Sequence, residues 1–151
     1  MAKFIFSMEN LLRIKYKLED QAKAEYGIQM AILRQEELKL ESLRQRRDAL
    51  QADLKEQVSA VLDLFRIRLL EDGVENIKYN IKLQKLVIAD QQKKVDRARE
   101  KLDEAMKERK TYEKLKEKAF EVFKQEINAQ EQKEIDELVS FRFGNTEERE
   151  E

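Results

Sequence analysis

Apolar residues recur three and four apart along most of this chain, and charged residues fill the positions between them. That spacing marks helices that bury one stripe, and a seven-residue repeat of it marks a coiled coil. From Leu33 one heptad frame runs through Leu33, Leu40, Arg47, Leu54 and Val61, and through Glu36, Leu43, Leu50, Gln57 and Leu64. A second frame runs through Val74, Ile77, Ile81, Gln84, Ile88, Gln91, Val95, Ala98, Leu102, Ala105, Arg109 and Tyr112. Ala119, Phe123, Ile127, Ile135 and Leu138 carry the stripe on with a looser period. Upstream, Phe4, Met8, Leu11, Leu18 and Ala22 keep similar spacing but fall outside the first frame. A stutter between Tyr26 and Met30, beside Gly27, would reconcile the two.

The chain has no proline and three glycines, so little interrupts these helices. Gly73 sits near the midpoint, in Glu71-Asp72-Gly73, with Asp72 placed to cap a following helix and Glu75 at capping-box distance. The expected fold is all-α: an antiparallel two-helix coiled-coil hairpin with its apex near residues 71–75. Helix 1 is expected over about 7–70, opened by Ser7 as cap and Glu9 in the first turn, and helix 2 over about 74–141. Residues 1–144 then form a single hairpin, and 145–151 an acidic frayed tail. Each helix would run on the order of 100 Å at 1.5 Å per residue. An apex near residue 72 sets Phe4 and Phe6 against Phe141 and Phe143, and Leu18 against Ile127. It also brings Arg44, Arg46 and Arg47 level with Arg97, Arg99 and Lys101 as a basic belt. The alternative is one unbroken helix dimerised in parallel. Polar residues in the stripe (Arg47, Gln57, Gln84, Gln91, Arg109) weaken it but fix register, because a slipped pairing would bury them against leucine.

Composition removes several functions. Charged residues make up 42% of the chain, yet the net charge is −1, which gives no overall pull toward nucleic acid or membrane. Acidic Glu41, Asp48, Asp96 and Glu100 are interleaved with the basic belt, and no aromatics accompany it to stack on bases. Cysteine is absent, which excludes disulfide and thiolate chemistry and fits a reducing compartment. Histidine is absent too, the commonest general base and transition-metal ligand. Carboxylate pairs sit at helical spacing beside Lys or Arg and read as surface pairs. No phosphate loop, nucleophile elbow or metal-ligand spacing is present. No enzymatic activity, cofactor or metal is expected. The most apolar window, Val58 to Leu70, is broken by Asp63, Arg66 and Arg68 and is too short to span a bilayer, so no direct membrane insertion is expected either.

Two surfaces stand out. Phe4, Phe6, Phe141 and Phe143 gather at the expected open end, and aromatic anchors are favoured in interfaces. Near the expected apex, Val58 to Leu70 together with Ile77, Tyr79, Ile81, Leu83 and Leu86 offers more apolar surface than a two-helix seam can bury.

The two ends of the chain also resemble a known family. Phe4-x-Phe6, Leu11-Leu12, Lys15, Glu19 and Ala22 resemble the opening of the flagellar export chaperone FliJ family. Glu108-Arg109-Lys110 and Glu131-Gln132-Lys133-Glu134-Ile135-Asp136-Glu137-Leu138 are similar to its closing stretch. The resemblance implies an antiparallel two-helix stalk of the flagellar type III export apparatus, cytoplasmic and peripheral at the cytoplasmic face of the inner membrane. It implies binding to the ring of the export ATPase FliI and to the export-gate protein FlhA, and the family is also linked to export chaperones. On that basis Phe4, Phe6, Met8, Leu11, Ile135, Leu138, Phe141 and Phe143 are the expected ATPase-facing residues. Ile77, Tyr79, Ile81 and Leu83 are the expected gate contact. A monomer or weak dimer fits this role. The alternatives are a type III injectisome stalk of the YscO type, a generic coiled-coil scaffold, or a holdase chaperone.

Overall fold

The computed structural model describes residues 2–59 and 63–150, with side chains as far as Thr146. Two helices, α1 (Glu9–Ser59) and α2 (Leu64–Glu150), pack against each other antiparallel, as a hairpin. Two compact units are built this way. One comprises residues 20–104, the other residues 1–19 with 105–151.

The apex is not at 71–75. α1 ends at Ser59, and α2 is capped by Asp63, whose Oδ1 accepts from the Arg66 N–H at 3.3 Å while its carbonyl accepts from the Ile67 N–H at 3.0 Å. Asp72 and Gly73 lie inside α2, and no glycine has positive φ among the described residues. The physical reason is phase. Carrying the first frame past Gln57 gives Leu64, Arg68 and Glu71, which are all exposed, whereas carrying the second frame back from Val74 gives Leu70 and Ile67, which are half-buried. The change of phase falls between Gln57 and Ile67, where Asp63 supplies the cap. Val61, a member of the first frame, lies outside the described residues.

A Cβ on Gly73 would approach Leu50 Cδ1 at 3.4 Å, ordinary contact with the end of a flexible side chain. Gly73→Ala is therefore expected to stabilise the hairpin by about 0.5–1 kcal/mol, because a helix-interior glycine costs that much against alanine. A urea titration followed by circular dichroism checks it; a glycine needed for a reversal would give the opposite sign.

In the 20–104 unit, Leu40, Ile77 and Ile81 form the buried core, with Leu43, Leu50 and Ile88 packed around it. Leu33, Val74, Val95 and Ala98 are also buried. Two glutamines fix the register. Gln91 Nε2 donates to the Gln29 carbonyl at 3.0 Å and to its Oε1 at 2.8 Å. One heptad away, Gln84 Nε2 donates to the Glu36 carbonyl at 2.9 Å and to its Oε2 at 2.6 Å. Any slip breaks four hydrogen bonds and leaves buried amides unsatisfied, which costs more than the bonds contribute. The same donation from Gln84, helped by Lys39, lowers the Glu36 carboxyl below its usual pKa.

The same frame of α1 runs back through Tyr26 and Ala22 in the 20–104 unit, and through Glu19, Lys15, Leu12 and Met8 in the other, all buried or half-buried. No stutter is needed at Tyr26–Met30. Leu11 and Leu18, read as seam positions from the sequence, are exposed. Polar Lys15 and Glu19 occupy the seam because each meets a counter-ion on α2: Lys15 Nζ lies 2.8 Å from Glu108, and Arg109 Nε 2.6 Å from Glu19.

The apex position moves every pairing. Phe4 packs on Phe120 and Phe123, not on Phe141 and Phe143, with ring centroids at 5.2 and 5.4 Å. Leu18 does not face Ile127, since its neighbour Glu19 meets Arg109. The belt of arginines is not formed either: α1 at Glu36 already faces Gln84, so Arg44, Arg46 and Arg47 sit further toward the apex, while Arg97 and Lys101 lie beside Glu25 and Gln29. Nor does α2 stop at Gly144-Asn145. With no proline and no left-handed glycine to end it, it runs to Glu150, and Thr146 Oγ1 donates to the Arg142 carbonyl at 2.8 Å. The expected frayed tail is helical over its described part.

Candidate partner-binding surfaces

The start of α1 approaches α2 at an aromatic cluster. A turn at Ser7 and Met8, closed by the Glu9 N–H donating to the Phe6 carbonyl at 3.1 Å, folds the preceding residues onto α2. Phe6 is buried there, and Phe4 and Met8 are half-buried. Beside the Phe4–Phe120 contact lies an open cleft of about 640 Å³, floored by Phe4, Leu12, Tyr16 and Phe120 and rimmed by Glu9, Glu113, Lys116 and Glu117. Lys116 Nζ is 2.9 Å from Glu9, which ties the rim across the two helices.

Next to this cleft the seam holds a connected polar group. Arg109 bonds Glu19 and also donates from Nη1 to Glu113 at 3.0 Å, and the Tyr16 hydroxyl donates to Glu113. The Tyr16 bond, with help from Arg109, lowers the Glu113 carboxyl. The same bond raises the Tyr16 hydroxyl, because losing its proton would set a phenolate against a carboxylate. Glu19 raises the Arg109 guanidinium, and Glu108 raises Lys15. Arg109 and Glu113 are held ionised, and the Tyr16 hydroxyl keeps the proton that it donates to Glu113, so the group ties the two helices together in one register.

The expected ATPase-facing residues divide into two sets. Phe4, Phe6 and Met8 belong to the cluster just described, with Leu11 exposed on the outer side of α1. Ile135, Leu138, Phe141 and Phe143 lie further along α2, past its pairing with α1, where Phe141 is 67% and Phe143 69% exposed. From Asn128 to Thr146 every residue is exposed. Periodicity missed Val139, which adds apolar surface to this part of α2, and Phe120 and Val122, which are exposed nearer its pairing with α1. Their exposure follows from the register, which no local pattern contains.

The expected gate contact also divides. Ile77 (7% exposed) and Ile81 (6%) are core residues and cannot present a surface. Tyr79 (61%) and Leu83 face outward, together with Leu86. Nearer the apex, Val58, Leu64, Phe65 and Leu69 are exposed. Part of the apolar excess read from Val58 to Leu70 is therefore uncovered among the described residues, while Ile67 and Leu70 are half-buried. Among the described residues no helix is long and apolar enough to cross a membrane.

A hairpin of two helices, held by heptad packing and polar register locks and carrying exposed apolar residues, defines a coiled-coil protein. Residues 4–148 match the family described as Flagellar FliJ protein, and the chain belongs to that family. Its fold is similar to that of a solved structure from Chlamydia trachomatis, described as a YscO homolog, at 21% sequence identity and a TM-score of 0.72. The match covers 92% of this chain and 94% of the other. No curated protein matches the chain.

Proposed function

We propose that this chain is a non-enzymatic stalk of a flagellar type III protein export apparatus. It engages the ring of the export ATPase FliI through the end where α1 begins, and reaches the export-gate protein FlhA through a second surface. The observation that carries this reading is the family match, which spans residues 4–148 and so takes in both candidate surfaces. On the ATPase side the reading uses Phe4, Met8 and Leu11 together with Ile135, Leu138, Phe141 and Phe143, and drops Phe6, which is 7% exposed and anchors the cluster from inside. On the gate side it keeps Tyr79 and Leu83, and drops Ile77 and Ile81 because they are buried. In this role the chain acts in the cytoplasm, peripheral to the inner membrane, as a monomer or weak dimer that also meets export chaperones. A stalk of the YscO type in an injectisome is the neighbouring reading, and the genes beside this one distinguish the two.

The test is biochemical. Adding the full-length chain to purified export ATPase is expected to raise its hydrolysis rate or its assembly into rings. Phe141→Ala with Phe143→Ala is expected to remove most of that gain at unchanged helicity, because both side chains are exposed. A hydrolysis rate and assembly state indifferent to the wild-type chain would sink the proposal.

A further inference from the structure

Past its pairing with α1, α2 presents a continuous apolar face. Two ridges diverge from Ile135: Ile135, Val139 and Phe143 follow one another four apart, and Ile135, Leu138 and Phe141 three apart. Residues three and four apart are surface neighbours on a helix, so the ridges form one patch, and all five side chains are exposed. Apolar surface grouped in this way marks a binding face, since solvated helices scatter their apolar residues.

The charge around the patch is predominantly acidic. Residues 128–146 hold four acidic and two basic side chains, a net of −2, residues 147–151 add a net of −3, and the whole chain carries −1. The preceding residues therefore carry a net of +4, so negative charge is concentrated on this part of α2. Glu131, Glu134, Asp136 and Glu137 are interspersed with the apolar ridges. Such a strip repels a second copy of itself and repels an anionic lipid surface. It fits a partner groove with an apolar floor and a basic rim.

We infer that residues 128–146 of α2 are an electrostatically steered docking strip for a basic-rimmed apolar groove on a partner protein. The inference rests on the stalk reading for the choice of probe, which is the purified export ATPase. Binding of the full-length chain is measured at about 50 and about 400 mM salt, because screening separates charge steering from apolar contact. The wild-type affinity is expected to fall about tenfold or more between the two. The neutralised chain (Glu131→Gln, Glu134→Gln, Asp136→Asn, Glu137→Gln) is expected to bind about tenfold more weakly at low salt, with a flattened salt dependence. Leu138→Ser with Phe141→Ser is expected to lose at least about tenfold at both salts. Thermal unfolding of both variants serves as a control and is expected to match wild type. Wild-type and neutralised chains binding alike at low salt, or wild-type binding indifferent to salt, overturns this inference and leaves the stalk reading standing. Absence of any binding by the wild-type chain overturns both.

Discussion

Ile81→Asp is expected to unfold the 20–104 unit, at a cost of about 4 kcal/mol or more. Ile81 belongs to the buried trio with Leu40 and Ile77. A carboxylate there is desolvated, and the nearest polar device in the seam, Gln84, is already committed to the Glu36 carbonyl and carboxylate. A two-helix seam has no second layer to absorb the loss, and the marginal stability of most domains makes 4 kcal/mol a large fraction of the total. Tyr79→Asp, two residues away on the exposed side, is expected to shift stability by less than about 0.5 kcal/mol. Urea unfolding followed by circular dichroism compares the two. Read from the sequence alone, Ile81 is a docking residue and its substitution should spare the fold. Its burial reverses that expectation, so the outward Tyr79 and Leu83 are the positions at which a gate contact can be tested without damage to the hairpin.

Much of the fold was legible. The frame from Val74 to Tyr112 coincides with the buried stripe of α2, and the frame from Leu33 to Gln57 with that of α1. Gln84, Gln91 and Arg109, read as polar residues that fix register, do so with named partners on α1. The apex was misplaced for an identifiable reason. A central glycine with capping residues around it is a strong local signal, but helices tolerate glycine at a cost near 1 kcal/mol, and nothing obliges a chain to turn there. The better signal was the phase change between Gln57 and Ile67, with Asp63 inside it. The false stutter at Tyr26–Met30 has a related origin. Leu11 and Leu18 look like seam residues, and Lys15 and Glu19 do not. Which pair is buried depends on Glu108 and Arg109, ninety residues away along the chain and invisible to local periodicity.

The candidate surfaces inherit these strengths and errors. Their membership was found largely by composition, since aromatics at both ends of a charged chain are conspicuous. Their grouping was not, because it depends on where the chain reverses. Moving the reversal from Gly73 to the stretch before Leu64 pairs Phe4 with Phe120 and Phe123, and leaves the Ile135-to-Phe143 stretch uncovered. One expected aromatic plug thus becomes two features with different chemistry: a cluster with a cleft where α1 meets α2, and an acidic apolar strip on α2.

Arg109→Leu is expected to destabilise the hairpin by about 3 kcal/mol, while Glu19→Leu with Arg109→Leu together is expected to restore wild-type stability or exceed it. Glu19 is 4% exposed, so removing its guanidinium leaves a carboxylate in the seam that is poorly reached by water. It also sets Glu19 and Glu113 near one another without the cation they share, since Arg109 donates to both. The pair is less than fully buried, because the Arg109 side chain keeps 18% of its exposure, and the cost is therefore placed at the lower end of what breaking buried pairs causes. The double variant removes both desolvation penalties and puts leucines at two heptad positions, as the rest of the seam has. A double-mutant cycle in urea measures the coupling directly. Stabilities of the two single variants that simply add in the double variant would show that the pair does not lock the register. A recovered double variant would separate stability from specificity: with the ion pair gone, leucines at 19 and 109 tolerate a slipped pairing that Glu19 and Arg109 forbid, and Lys15, Gln84 and Gln91 are left to oppose it.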